Sequence, residues 1–241
     1  MHGKIRTLEI YEALRREILD GRYDPRARLR IDRLGDAFGA SLGAVREALV
    51  RLAADGLVVA EPPKGFAIAP ISLADLADLT DTRVELEERC LRSSLQLGDL
   101  AWEGRVIGAL HRLVRTPLHS KPDSLSVDWA IAHRAFHDAL VSACDSAWRL
   151  RLREQLFTQA ERYRCFTVPY GCGQRDVDAE HRGIAEAALA RDADAAAERM
   201  SAHLRLTAEL LRASDAPFDD APGAHGPPIR QPQTVAEPTA P

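Results

Sequence analysis

Leu8, Tyr11, Leu14, Ile18 and Leu19 recur at helical spacing, and Gly21 stands where such a helix would end. After a Tyr23-Asp-Pro-Arg turn the period changes, with Leu29 and Ile31 alternating with arginines as in a short strand. Helical spacing returns at Leu34, Ala37 and Phe38, with Asp32 as the expected cap and Gly39 as the stop. Ser41 is a second capping residue, followed by the apolar stripe Val45, Ala48, Leu49 and Leu52 and closed by Gly56. Residues 57–60 and 66–69 then read as two strands around a turn holding Lys64 and Gly65, a place where glycine tolerates positive φ. Helix, glycine turn, capped helix and hairpin in that order predict a winged helix-turn-helix, a shape that lays one helix in the major groove of duplex DNA.

Residues 70–72 read as a linker, with Ser72 as the next N-cap. From there to about residue 213 the apolar positions keep a helical period and no strand signal stands out. The expected helices are 73–97, 101–115, 124–143, 147–166, 174–190 and 193–213. Six helices in an antiparallel bundle bury a core large enough to enclose a ligand cavity. Beyond Ser214 the text turns to Pro, Ala, Gly and Gln, which cannot bury enough apolar surface to fold, so 215–241 is expected to be a disordered tail. The predicted fold class is mainly α: a winged helix-turn-helix over 1–69, a helical bundle over 73–214, and the tail.

Composition narrows the setting. Apolar residues at 46% and charged residues at 28% fit a soluble globular chain, and no apolar run approaches the ~20 residues of a membrane span. Met-His-Gly-Lys-Ile-Arg lacks the apolar core of a signal peptide, so the expected location is the cytoplasm, with no membrane partner. Cys90, Cys144, Cys165 and Cys172 form no CxxC pair and read as small buried hydrophobes, with Cys165 and Cys172, around a Pro-Tyr-Gly turn, the pair to watch otherwise. The net charge of −4 looks wrong for a DNA binder until it is divided: residues 1–68 carry 12 basic against 10 acidic side chains, and the acidic excess lies beyond them. That surplus is small, so one copy would hold phosphate weakly and a dimer is expected.

Two groups of residues carry chemistry. On the helix opened by Ser41 the outward positions are Leu42, Gly43, Arg46, Glu47 and Val50. Arg46 can reach a phosphate or the O6/N7 edge of guanine, while Ser41 and the first amides can hold a phosphate. Lys64 and Gly65 at the wing tip and Arg33 on the preceding helix complete the expected DNA-facing set; the plain alternative for each cation is a solvated side chain. The second group is histidine. His133 and His137 stand one turn apart beside the stripe Trp129, Ala132, Phe136 and Leu140, and His181 and His203 lie on the last two helices. Four imidazoles aimed into a bundle suit zinc or another borderline divalent metal, although such pairs also occur on surfaces and in hydrogen-bonded cores. No glutamate follows the first histidine as a metalloprotease base would. Arg162 and Arg164 are further candidates for holding an anionic effector.

The run Gly39-Ala-Ser-x-x-x-Val45-Arg-Glu-Ala-Leu49-x-x-Leu52-x-x-x-Gly56-Leu-Val, with Lys64-Gly65-Phe66, resembles the winged-helix domain of GntR-family bacterial transcriptional regulators across nearly all of residues 8–69. The resemblance implies that Arg46 contacts DNA and Ser41 touches phosphate. It also exposes departures: Leu42 stands where the family usually has arginine, Gly43-Ala44 where it has Thr-Pro, and Asp32 where another DNA-contacting arginine is frequent. A leucine can meet a thymine methyl but cannot read guanine by hydrogen bonds, so the usual operator is not implied. Downstream, His133-Arg-Ala-Phe-His137, Glu180-His181-x-x-Ile184 and Met200-x-x-His203-Leu resemble the FCD-type effector domain of the FadR subfamily. Metal-binding members use an Asp and three His; His137, His181 and His203 match the histidines, and His133 occupies the Asp position. An ion on four neutral imidazoles keeps its +2 charge and holds an anion more strongly than the Asp version. Arg83, in Asp81-Thr-Arg-Val-Glu-Leu-Glu87, matches the family's Arg-x-x-Leu-Glu arginine, implying a bidentate carboxylate contact, with an ion pair to Glu87 one turn away as the alternative. Six helices resemble the VanR-like branch, and Leu42-Gly43 resembles the carbon-starvation regulator (CsiR-like) branch.

Together these imply a homodimeric regulator on a palindromic double-stranded DNA operator, acting as a repressor released by a small carboxylate, with glutarate or 2-hydroxyglutarate the effector suggested by that branch. The rival readings are a metalloenzyme and a pure metal sensor. Against an enzyme stand the lack of an evident carboxylate base, the little room four protein ligands leave for water, and a winged helix without a role.

Overall fold

The computed structural model describes residues 2–121, 124–167 and 175–218. In α1 (His2–Leu19) the buried stripe is Thr7, Ile10, Leu14 and Ile18, and Leu8 faces outward because it lies off that 3–4–4 spacing. The next two helices are α2 (Ile31–Phe38) and α3 (Leu42–Ala54). Contrary to the expectation from sequence, Asp32 does not cap α2. The helix starts two residues earlier than such a cap implies, after Arg30, and the Asp32 carboxylate, now inside the first turn, turns back to the Arg30 guanidinium at 2.7 Å. On α2 it is Leu34 and Gly35 that are buried, and Ala37 is exposed. Gly39 ends α2 in the left-handed region (φ 55°), and Arg6 of α1 donates to the Phe38 and Gly39 carbonyls that this end leaves open. Ser41 caps α3, accepting from the Ala44 amide at 3.3 Å.

Strands β1 (Arg28–Leu29), β2 (Val58–Glu61) and β3 (Gly65–Ile68) form an antiparallel sheet in the order β1-β3-β2, with Leu29 opposite Phe66 and Glu61 opposite Gly65. The wing therefore gains a third strand, and its two longer strands sit one residue off the ranges expected. Leu14, Val45, Leu49, Leu52, Leu57 and Ile68 are buried together beneath it.

Six helices follow among the described residues: α4 (Leu73–Leu97), α5 (Leu100–Arg115), α6 (Val127–Val141), α7 (Ala147–Thr167), α8 (Val177–Leu189) and α9 (Ala193–Arg212). Side-chain caps decide where five of them begin. Ser72, Asp99, Ser126, Asp176 and Asp192 each accept from the amide three residues on. Ser126 explains why α6 starts after 126 and not at 124. The residues before it overturn the expectation that this half has no strand: β4 (His119–Lys121) pairs antiparallel with β5 (Ser124–Leu125). Strands of three and two mostly polar residues carry too few apolar positions to display a period of two. The main core joins Trp102, Leu113, Phe136, Leu140, Ile184 and Met200. The Trp102 indole donates to the Leu140 carbonyl at 3.3 Å, and the Arg191 guanidinium lies 4.6 Å above its ring.

A third cluster of Ile71, Leu76, Leu79, Tyr163, Leu211 and Ala216 gathers where the linker enters the bundle. Packed chain therefore continues past 214, with Phe218 stacked on Tyr163 at 6.4 Å. The rest of the expected tail, 219–241, lies outside the described residues, as do Cys172 and the turn before it. Cys90 and Cys144 are buried, as expected of small hydrophobes, and burial pushes the Cys165 thiol up to about 12. No helix among the described residues is long and apolar enough to cross a membrane.

Candidate functional site

With Val45, Ala48, Leu49 and Leu52 buried, helix geometry turns Leu42, Gly43, Arg46, Glu47 and Val50 outward. Leu42 and Val50 are 58% and 54% exposed, a large aliphatic surface for so small a domain to leave in water. Arg46 makes no hydrogen bond or ion pair among the described residues, whereas its neighbour Glu47 is held by Arg51 at 2.7 Å. The acid is neutralised and the guanidinium is left open. A Cβ at Gly43 would come no nearer than 4.0 Å to Ser41 Oγ, so the first turn of α3 is accessible beside its cap. Arg33 on α2 and Lys64 at the wing turn are exposed. Gly65 has φ 97° with nothing near its missing Cβ, so it is the backbone angle, not crowding, that favours glycine there.

The four expected histidines converge. His133 and His137 on α6, His181 on α8 and His203 on α9 are all buried, and one nitrogen from each lies within 4.8 Å of the others. Nε2 of His133 and Nε2 of His137 are 3.1 Å apart, close to the ~3.3 Å that ~2.05 Å Zn–N bonds and a tetrahedral angle imply. Both ring nitrogens of His181 and Nδ1 of His137 are buried without a hydrogen-bond partner. Burial, followed by the neighbouring charges, holds His133 and His137 well below the ordinary imidazole range, and burial and His203 bring His181 to about 2. The rings are therefore neutral near pH 7, the form that binds metal.

Outer partners distinguish the rings. Nδ1 of His203 lies 2.9 Å from Glu180 Oε2, and in the tautomer that donates to this carboxylate Nε2 is left as the ligand atom, the carboxylate–histidine arrangement common at metal sites. Burial works against the Glu180 charge, but hydrogen bonds from His203 and Arg175 outweigh it and hold this carboxyl at about 2. Arg164 lies 3.2 Å from Nδ1 of His133 and can only donate, so a neutral His133 carries its proton on Nε2. Trp129 stacks on the same ring at 4.6 Å and Arg164 covers Trp129 at 4.8 Å.

A cavity of about 370 Å³ opens beside the imidazoles, with His133, His203, Arg83, Arg164, Arg175 and Glu161 among its walls. Arg83 is buried, with Nη2 3.6 Å from Glu87 Oε1, and its Nε and Nη2 have no hydrogen-bond acceptor. Arg83 thus lines the cavity and is also paired with Glu87, whose other oxygen accepts from Arg153 at 2.8 Å. Arg162 is a correction. Its guanidinium does not enter the cavity but donates to the Ala69 and Pro70 carbonyls at 2.7 and 2.9 Å, because it projects from α7 about 100° away from Glu161.

A family model of bacterial regulatory proteins, gntR family, matches residues 6–68, and the FCD domain model matches residues 78–206. The chain belongs to the GntR family. It is a DNA-binding transcriptional regulator with an FCD effector domain. BphR of Paraburkholderia xenovorans (strain LB400), an uncharacterized HTH-type transcriptional regulator, is 39% identical over 209 residues, covering 84% of this chain and 83% of that protein. The HTH-type transcriptional repressor GlaR of Escherichia coli (strain K12) is 32% identical over 204 residues, covering 83% and 93%. Among solved structures, E. coli McbR/YncC superimposes with a TM-score of 0.71 at 19% identity, covering 86% of this chain and 97% of that one, a likeness of fold. These relatives are regulators, not enzymes. GntR regulators bind DNA operators and usually act as dimers.

One cavity residue of this GntR regulator went unmarked in the sequence reading. Arg175 pairs with Glu180, donates to Thr207 Oγ1 at 2.8 Å and approaches His203 Nδ1 at 3.1 Å. It lies just before α8, which begins at Val177 and not at 174 as expected. The Glu180-His181 motif five residues on was its only signal.

Proposed function

We propose that this regulator represses as a homodimer on a palindromic operator and is released when a small carboxylate enters the FCD cavity. The observation that carries the reading is the meeting, in one cavity, of buried imidazoles and the open N–H groups of Arg83, within a bundle tied through α7 to the DNA-reading domain. His133, His137, His181 and His203 fit a divalent ion, zinc by the chemistry of the donors, because desolvated nitrogens without partners are costly unless something satisfies them. Such an ion supplies a fixed positive centre for an anionic group. His133 is the weakest of the four ligands while Arg164 occupies its Nδ1. Arg83 is the natural second hold on the carboxylate, and Arg164 and Glu161 set the charge around it.

Ser41, Leu42, Gly43, Arg33, Arg46, Lys64 and Gly65 form the DNA face in this reading, with work confined to the cytoplasm, where the chromosome is. Repression is supported by the name of the similar GlaR. Ligand and DNA then oppose each other by linkage: a carboxylate that prefers the unbound form lowers operator affinity by the ratio of its two affinities. Gel-shift titration against the chain's own promoter tests this. A carboxylate should release a specific complex without being consumed. Release by zinc or by chelator alone would replace this reading with a metal sensor, and turnover of the acid without operator preference would end it.

The modest positive surplus of the first 68 residues favours two copies on one operator. The surface of α7 offers the contact: Trp148 and Leu152 are 71% and 49% exposed beside a groove lined by Leu86, Arg89 and Leu156. Leu152→Glu should yield single chains by light scattering and weaken promoter binding. An unchanged dimer mass would remove this face from consideration.

A further inference from the structure

We propose that the cavity selects an amphipathic monocarboxylate, one carboxylate on a ring-sized or medium-chain apolar body, in place of a C5 dicarboxylate; this rests on the carboxylate-effector reading above. Among the described residues three arginines line the cavity, and two of them are already committed to carboxylates of the protein. Arg164 pairs with Glu161 and also meets His133 at 3.2 Å. Arg175 pairs with Glu180 through two of its nitrogens and holds Thr207. Of the three, only Arg83 brings two N–H groups, Nε and Nη2, that lack an acceptor. One unsatisfied fork, buried beside Glu87, is enough for one carboxylate. Glu161 is itself a lining residue, so a second anionic group nearby would face a like charge.

The charged groups are also gathered on one side. His133 contacts Arg164 and lies 4.0 Å from Glu161, and His203 contacts Arg175 and Glu180. Away from them the wall is Leu76, Leu79, Leu118, Leu125, Leu204 and Leu211. Leu76, Leu79 and Leu211 belong instead to the cluster of Ile71 and Tyr163 at the linker. Apart from His119 beside Leu118, no basic side chain among the described residues lines that end, and the 168–174 sequence contains neither Lys nor Arg. A second carboxylate there would shed water and find no partner, whereas an apolar body would cover leucine surface and gain by doing so. A volume of about 370 Å³ lies within the ~300–1,000 Å³ usual for small-molecule sites.

The test compares hexanoate, benzoate and phenylacetate with glutarate and adipate on the full chain carrying zinc, read by thermal shift and by release of promoter DNA. The monocarboxylates should act at concentrations at least about 10-fold lower than the dicarboxylates. Leu79→Lys, which adds a cation to the leucine end, should reverse the order, and Thr80→Lys makes the same change at a half-buried position if the first variant does not fold. Dicarboxylates acting at equal or lower concentration on the unaltered protein would overturn the proposal alone. No response to any of the five acids, with promoter binding intact, would overturn the carboxylate-effector reading and the proposal with it.

Discussion

Arg46→Ala is expected to weaken promoter binding by about 1–3 kcal/mol per half-site, roughly 5- to 150-fold, measured by fluorescence anisotropy at moderate ionic strength. The size follows from how the side chain is held. Arg46 makes no bond or ion pair among the described residues, so truncation disturbs nothing in the free protein and the loss falls on the complex. Glu47 beside it is paired with Arg51 and should remain so. If Arg46 reads a base, specificity at that base pair relaxes. If it holds a phosphate, binding falls evenly across sequences and the salt slope drops by about one. Unchanged affinity would mean that α3 does not lie in the groove.

His181→Ala should cost more than the ~10–100-fold in metal affinity that losing an outer partner costs, and should abolish any rise in melting temperature on adding zinc. His181 is singled out because both its nitrogens are buried and unpartnered: nothing within the protein competes with an ion for them. His133→Ala should do less, since Arg164 already engages that ring's Nδ1. Competition against a chromophoric chelator gives both affinities. Equal zinc binding by the His181 variant and the parent would show that the imidazoles hold one another and not an ion.

The recognition domain was legible in the sequence because several local signals agree there: the Ser41 cap, the Val45–Leu52 stripe, the stops at Gly39 and Gly56, and Gly65 at the wing. The histidines were legible for a related reason, since a four-residue spacing on a helix with a known apolar stripe fixes their face. What escaped depends on long-range partners or on very short elements. Asp32 has the right identity for a cap, but α2 begins before it, after Arg30, whose guanidinium pairs with it. The strands at 119–121 and 124–125 are too brief to show alternation. Arg162 and Arg164 are chemically identical and two residues apart, yet one grips the linker and the other the His133 ring. Composition cannot separate them; the phase of α7 can.

That phase has a further consequence. Residues 157 and 158, and again 161 and 162, are neighbours on α7 whose side chains leave its axis about 100° apart. Phe157 lies beneath the Arg83 guanidinium at 4.9 Å, while Thr158 accepts from Arg15 of the first helix at 3.1 Å. Gln159 reaches the Asp55 carbonyl at 2.6 Å, Arg162 holds the two linker carbonyls, and Tyr163 accepts from the Ser72 amide at 3.2 Å. One unbroken rod of 21 residues is thus both the chamber's wall and the operator-reading module's handle. Any roll of that rod reaches the two ends together, so the stiffness of a single helix, with no relay of side chains between, sets how faithfully occupancy becomes a change in grip on the chromosome.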